Sequence, residues 1–252
     1  MELKAITSYL DNYLELASFS EQSANGLQVE NSGDIHKIGL AVDPCLEAIL
    51  RCAEAGCNLL IVHHGLFRGG ESHLVGHVFR RLRALIMSDI ALYAVHLPLD
   101  AHPEVGNNVQ IARMLDLRDI QPVGCSLGRP IGVKGSLRTP TSCAQIIPML
   151  ESFLGRCHFL VRFGPEQIHS VGVISGSATD ASLFQELRAQ GIDLLVTGEP
   201  KHGAYHLAQE CGLNIFYGGH YQTETFGVTA LGKHLAARLG LAALFLEVPS
   251  PF

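Results

Sequence analysis

Two adjacent histidines, His63 and His64, directly follow a short apolar run, NLLIV at 58–62. Such a run is typical of a buried strand in a parallel sheet. Within a strand, adjacent side chains point to opposite faces, but beyond its end both rings can turn toward one crevice. Since neutral imidazole is the commonest metal ligand in proteins, the pair indicates either a metal site at the sheet edge or a solvated strand end.

A second polar group lies in the segment HLPLDAHPEVGNN at 96–108, after the next strand-like run. Asp100 falls in the predicted loop, which two prolines stiffen. If the strands are parallel, its carboxylate reaches the same sheet edge as the histidine pair, and imidazole with carboxylate suits a divalent metal ion. We interpret His96 and His102 as supporting or structural residues, because metal ligands need hydrogen-bonded partners.

A third group lies in YGGHYQTETFG at 217–227, where two glycines predict a tight turn before a helix. His220 opens this helix and Glu224 lies four residues later, so that both side chains share one helical face. Together they could bind a metal ion. The alternative is a solvated histidine with an acidic residue that the helix dipole stabilises.

Taken together, His63, His64, Asp100, His220 and Glu224 lie at the ends of three strand-like runs. One carboxylate bridging two ions would leave each ion two further protein ligands, with water completing the coordination. Open coordination positions are typical of catalytic metal sites. The sequence therefore predicts two divalent metal ions per chain.

A fourth segment, VTGEPKHGAYH at 196–206, ends another predicted strand. Glu199 could act as a general base, contact a substrate, or be a solvated loop carboxylate. His202 is interpreted as a supporting residue close to the site.

Composition excludes several classes of protein. The net charge is −6 without a run of Lys or Arg, which argues against a nucleic-acid binder. The seven cysteines are scattered without a C-x-x-C pair, which argues against a disulfide framework and a zinc ribbon. No apolar run reaches the roughly 20 residues that cross a bilayer, and the acidic, amphipathic start does not resemble a signal peptide. We therefore expect a cytoplasmic protein that does not bind membranes.

Strand-like and helix-like segments alternate along the whole chain, which predicts an α/β fold with mostly parallel sheets. Predicted helices include 3–15, 45–56 and 73–88, and a glycine-rich loop is expected after His64. Residues 118–130 contain two prolines and two glycines, so we predict a loop there and a boundary between two α/β lobes, 1–125 and 126–252.

The motifs NGLQVE, IVHHG, HLPLDAHPEVGNN, TGE and GGHYQTE, in this order, resemble a family of dinuclear-metal hexamers. Its members are named GTP cyclohydrolase type 2 homologues or NGG-interacting-factor-like proteins. The resemblance implies a metal site in the cleft between two lobes, and a homohexamer built as a trimer of dimers. It also implies that His64 and Asp100 bind one ion, that His63 and His220 bind the other, and that Glu224 bridges them.

The resemblance implies a metal-dependent hydrolase, with water attack at C8 of guanine as the nominal reaction and a nucleotide as the substrate. Glu199 or a histidine would then move protons. A phosphoesterase and a non-catalytic metal-binding scaffold or regulatory protein are the alternatives. The donor types admit Zn, Fe, Mn, Co or Ni.

Overall fold

The computed structural model describes residues 1–67, 73–126 and 128–251, and the chain divides into two compact units. The first comprises Met1–Leu99 and Gly227–Val248, and the second comprises Asp100–Phe226 and Pro249–Phe252. The division predicted between residues 125 and 126 therefore falls elsewhere. Those two residues belong to one strand of the second unit.

The first unit contains a five-stranded sheet in the order β1-β4-β3-β2-β11. Its strands are β1 (Gly26–Val29), β2 (Lys37–Ala41), β3 (Leu59–Val62), β4 (Ala91–Ala94) and β11 (Ala242–Phe245). Strands β4, β3, β2 and β11 run parallel, and β1 is antiparallel at one edge. Every residue of β3 and β4 is buried, because helices cover both faces, as is usual for parallel sheets.

The helices of the first unit are α1 (Leu3–Tyr13), α2 (Leu46–Glu54) and α3 (Gly76–Met87), with a 3₁₀ turn at Leu16–Ser18. Helices α2 and α3 pack on one face of the sheet through Ile49 and Leu85. On the other face, the hydroxyl of Tyr93 in β4 donates to Asp11 in α1 at 2.8 Å.

The second unit contains a six-stranded mixed sheet in the order β5-β6-β8-β9-β10-β7. Its strands are β5 (Arg118–Ser126), β6 (Arg129–Ser142), β7 (Phe159–Arg162), β8 (Gln167–Val173), β9 (Leu194–Thr197) and β10 (Asn214–Tyr217). Strands β8, β9 and β10 are parallel, whereas the β5–β6, β6–β8 and β10–β7 pairs are antiparallel. The prediction of a mostly parallel sheet is thus right for the first unit and wrong for the second.

The helices α5 (Asn107–Met114) and α6 (Cys143–Leu154) pack on one face of this sheet. The helices α7 (Ala181–Ala189) and α8 (Ala204–Cys211) pack on the other. Two further helices, α4 (Leu97–Ala101) and α9 (His220–Leu239), each include residues of both units. The predicted α/β fold with two lobes is confirmed.

Two local predictions differ from the structure. Within the segment 118–130, predicted as a loop, residues 118–126 form all of β5 and residues 129–130 begin β6, because the antiparallel pairing of the two strands overrides the glycines and prolines. Asp100 lies in α4, not in a loop. In addition, Gly26–Val29, within the motif NGLQVE, form β1, a strand that the sequence analysis does not predict.

The glycine-rich loop predicted after His64 lies partly outside the described residues, at 68–72. Among the residues that are described, no helix combines the length and the apolar character that a membrane crossing requires.

Candidate metal centre

The two adjacent histidines follow β3 and are fixed by the end of the neighbouring strand. The backbone N–H of His64 donates to the carbonyl of Val42 at 2.9 Å, and that of His63 donates to the same carbonyl at 3.1 Å. The side chain of His63 is completely buried. Both rings thus lie at the carboxyl edge of the parallel strands, where ligand sites of open α/β sheets are found.

The Nδ1 atoms of both rings are held by hydrogen-bond acceptors. Nδ1 of His63 lies 3.0 Å from the carbonyl oxygen of Val95, and Nδ1 of His64 lies 2.8 Å from Oδ1 of Asp43. Since a carbonyl and a carboxylate can only accept, each Nδ1 donates its proton. The neutral ring then carries its lone pair on Nε2, which is the tautomer that a metal ion requires.

His96 follows β4 and is held in the same way. Its Nδ1 lies 2.6 Å from Oε2 of Glu21, a carboxylate whose side chain is only 6% exposed. The side chain of Asn25 links the two segments, because it donates to Glu21 at 2.7 Å and accepts from the backbone N–H of His96 at 2.8 Å. Burial acts to raise the pKa of Glu21, but the hydrogen bonds from His96 and Asn25 outweigh it and leave the pKa below its ordinary value.

These three histidines form one cluster in the first unit. One ring nitrogen of each lies within 4.8 Å of the others, and the ring centroids are 4.9–5.6 Å apart. We predict His63 and His64 as ligands and His96 as a supporting residue. Geometry and tautomer do not separate His96 from the two ligands, and the assignment of its role stays a prediction.

Asp100 lies at the carboxyl edge of the second sheet and is 7% exposed. Its Oδ1 accepts from the hydroxyl of Ser175 at 2.7 Å and from the amide of Asn107 at 2.9 Å. The side chain of Asn108 links α4 to the segment after β8, because it donates to the backbone carbonyl of Asp100 and accepts from the backbone N–H of Ser175. These contacts hold a buried carboxylate in one orientation directly after β8.

The remaining acidic residues surround His220 in the same unit. Its Nε2 lies 3.1 Å from Oε1 of Glu224, and its Nδ1 lies 3.4 Å from Oε2 of Glu199. Burial acts to lower the pKa of His220, but Glu224 and then Glu199 outweigh burial and raise it. The two carboxylates therefore create a negative potential that favours a cation at this position.

Glycines leave the room that these side chains occupy. Gly176 follows β8 with a φ of +66°, and a Cβ atom there would overlap Oε1 of Glu224 and lie 3.3 Å from Nε2 of His220. A Cβ atom on Gly198, after β9, would overlap the backbone of Gly176 and of His220. The ends of β8, β9 and β10 can converge on His220 only because these positions lack side chains.

Two other predicted residues have different surroundings. Nδ1 of His102 accepts from the backbone N–H groups of Glu104 and Val105, both at 3.2 Å. The proton of the neutral ring is therefore on Nε2, a tautomer that suits a structural role in this turn and not metal binding. His202 is exposed, and it lines a cleft in the same unit.

Sequence analysis missed the hydrogen-bond partners of the histidines, namely Glu21, Asn25 and Asp43. Only Asn25, in NGLQVE, belongs to a motif that the sequence analysis identified. Glu21 and His96 are separated by 75 residues in the chain, so that no local spacing connects them. Asp43 directly follows the buried run at the end of β2, and this position was the available signal.

The fold and the edge-of-sheet histidines and carboxylates define a class of protein with a polar, metal-compatible site on an α/β scaffold. A profile of the Duf34/NIF3 (NGG1p interacting factor 3) family matches residues 1–251, and the chain belongs to this family.

Its relatives include a Deinococcus radiodurans protein named GTP cyclohydrolase 1 type 2 homolog, 40% identical over 245 residues, which are 97% of this chain and 92% of the relative. A protein of the same name from Archaeoglobus fulgidus is 39% identical and covers 99% of both chains. The crystal structure of TTHA1606 from Thermus thermophilus is 40% identical and has a TM-score of 0.89 over 100% of both chains.

Proposed function

We propose that the protein is a metal-dependent hydrolase with a dinuclear centre, and that its nominal reaction is opening of the guanine imidazole ring. The ligands would be His63, His64, Asp100, His220 and Glu224. The observation that carries the proposal is the hydrogen bonding of the histidines, because Nδ1 of each histidine ligand faces a carbonyl or carboxylate oxygen. This arrangement is the usual support for metal-bound imidazole.

The donor set fits divalent ions of the Zn, Fe, Mn, Co or Ni type, because imidazole nitrogens and carboxylate oxygens are combined without a thiolate. When bound, such ions lower the pKa of coordinated water toward about 7 and polarise the bond under attack. In ring opening, the oxygen of water would bond to C8 of guanine and become the formyl oxygen. The C8–N9 bond would break, the C8–N7 double bond would become single, and N9 and N7 would each take one of the two protons of water.

The residues of the chain itself would orient ligands and move protons. Glu199 is partly exposed and faces Nδ1 of His220, which suits it to orient that ring and to exchange protons with solvent. Ser175 and Asn107 would hold Asp100 in one orientation. The names of the relatives from Deinococcus radiodurans and Archaeoglobus fulgidus support the choice of reaction. The homohexamer and the cytoplasmic location stay predictions.

The test is to measure metal content and product formation in untagged protein beside Glu224→Gln, which removes a charge that is only 2% exposed while keeping its shape. We expect about two divalent ions per chain, at least one of them lost in the variant. Incubation with GTP should yield a product with the mass of GTP plus one water. The variant should reduce this activity by about 100-fold or more, since a first-coordination ligand is lost.

The matched control is Glu210→Ala, which removes an exposed carboxylate from α8 and should change neither metal content nor turnover. Release of inorganic phosphate without a ring-opened product would replace the proposed reaction with that of a phosphoesterase. Full metal content without turnover of either kind would favour a non-catalytic scaffold. Absence of metal after reconstitution with each candidate ion would contradict the whole proposal.

A further inference from the structure

A cleft of about 280 Å³ lies on the second unit, beside the loop that carries Glu199. Its wall consists of three aromatic side chains and two basic ones, with two aliphatic residues beside them: Phe159, Tyr205, Tyr217, Lys201, His202, Val161 and Pro200. The function proposed above does not use any of these residues. The volume is close to the lower end of small-molecule sites, roughly 300–1,000 Å³, and suits a single ring system.

The sheet places the aromatic residues on one face. Phe159 in β7 pairs directly with Tyr217 in β10, and directly opposed residues of antiparallel strands project to the same side. Their ring centroids are 6.3 Å apart. Tyr205 reaches this face from α8, and its ring makes an edge-to-face contact with the ring of Phe163, with the two centroids 5.2 Å apart. The cleft therefore has aromatic surfaces supplied by both strands and a helix.

Two of these rings are exposed and the third is buried. Phe159 and Tyr205 are 47% and 44% exposed, although both belong to ordered elements that pack against the core. Tyr217 is only 1% exposed, yet it lines the cleft. Within the described ranges, with gaps at 68–72 and 127, its hydroxyl has no hydrogen-bond partner. An aromatic ring that stacks on Phe159 or Tyr205 and accepts a hydrogen bond from Tyr217 would satisfy all three side chains.

The mouth of the cleft is basic. Lys201 and His202 are exposed, precede α8 by only a few residues, and form no ion pair within the described part of the chain. The partial positive charge at the start of this helix adds to theirs. A negatively charged group is therefore the substituent that the mouth would favour.

The geometry points to this cleft as a binding site for a planar heteroaromatic ring with an anionic substituent, of the purine nucleotide class. The ring lies among Phe159, Tyr205 and Tyr217, and the anion lies at Lys201 and His202. Tyr217 is three residues before His220, and Lys201 is two residues after Glu199. The cleft would hold the substrate of the proposed hydrolase; this role in turnover depends on the proposed function, whereas binding itself does not.

The experiment measures binding by calorimetry to the metal-loaded protein with three probes: GTP, guanosine and inorganic triphosphate. We expect Phe159→Ala and Tyr205→Ala each to weaken the binding of guanosine and of GTP by about tenfold, because stacking on an aromatic ring is lost. Lys201→Ala should weaken the binding of GTP by about fivefold and leave the binding of guanosine unchanged. Tyr217→Phe, which keeps the buried ring, should weaken both by a smaller factor.

The matched controls are Leu50→Ala, which truncates a side chain that is also 47% exposed, and Lys4→Ala, which removes an exposed cation in α1. Both should bind every probe as the wild type does. Guanosine binding that is absent, or unchanged in Phe159→Ala and Tyr205→Ala, overturns the inference. The inference is also overturned if Phe159→Ala or Tyr205→Ala changes the mass measured by sedimentation but binds guanosine as the wild type does. The two rings would then serve a contact between chains.

The two proposals can fail separately. If the cleft variants weaken guanosine binding while GTP is not turned over, the cleft assignment stands and the hydrolase proposal falls. If GTP is hydrolysed but the cleft variants bind guanosine as the wild type does, the cleft assignment falls alone.

Discussion

At the scale of single residues, ring tautomer separates the histidines better than position in the chain does. His63, His64, His96 and His220 each direct Nδ1 to an oxygen acceptor, whereas Nδ1 of His102 accepts from two backbone N–H groups. For His63, His64 and His96 the first arrangement leaves the lone pair of the neutral ring on Nε2, whereas the arrangement at His102 leaves the proton there. Nε2 of His220 also faces a carboxylate, Oε1 of Glu224 at 3.1 Å, so that it can bind a metal ion only after losing its proton. Hydrogen bonding thus distinguishes a candidate metal donor from a structural histidine.

The first prediction at this scale concerns Asp43, whose carboxylate accepts from Nδ1 of His64. Asp43→Ala should lower the affinity for one metal ion by about 10- to 100-fold, because the ring of His64 loses the partner that fixes its orientation and basicity. Competition against a coloured chelator measures this affinity. Glu54→Ala, which removes an exposed carboxylate of α2, should bind both ions as the wild type does. Equal affinities in the two variants would remove Asp43 from the site.

At the scale of elements, the histidine cluster of the first unit and the acidic residues of the second unit both occupy the carboxyl edges of parallel strands. His63 follows β3 and His96 follows β4. Ser175, which donates to Asp100, lies after β8, and Glu199 lies after β9. This placement could be predicted from sequence, because continuous apolar runs that end in polar residues reveal both the strands and their ends.

Most features that the sequence did not predict depend on contacts between segments that are distant in the chain. Pro122 and Gly124 favour a loop when read locally, but β5 is an edge strand, where a residue without an N–H is tolerated. The helix α4 contains only five residues, too few to show a helical period. The partners of the histidines come from distant segments, and a single sequence does not show which of them meet.

A second prediction tests whether the turn after β8 is shaped for the site. Gly176→Ala introduces a Cβ atom at a positive φ and against Oε1 of Glu224. We expect loss of at least one metal ion, and a fall in the free energy of unfolding that exceeds the roughly 1–2 kcal/mol of backbone strain alone. Metal analysis and urea unfolding of the same preparation provide both values.

Gly191 supplies the matched control for this prediction. It has a φ of +73°, and a Cβ atom there would meet nothing within 4 Å. Gly191→Ala should therefore show the backbone strain without any loss of metal. If the two variants lose equal stability and both retain full metal content, the space at Gly176 does not serve the site.

At the scale of the whole molecule, the chain exposes large apolar side chains on one helix. In and just before α3, Leu74, Val75, Phe79, Ile86 and Met87 are all more than half exposed. Surfaces of this kind usually mark a contact with another chain. The family resemblance implies a homohexamer, and α3 is the element of the first unit that such an assembly would most need to cover.

We therefore expect sedimentation velocity to give the mass of six chains of 27.2 kDa each. Substituting Ile86→Lys together with Met87→Lys should convert this species to a smaller one, because burying two ammonium groups in an apolar contact costs more than the contact gains. Met114→Lys, at a side chain 56% exposed on α5, should leave the assembly intact. A wild-type chain that sediments as a monomer would contradict the hexamer, and a Lys variant that keeps the wild-type mass would place the contact elsewhere than on α3.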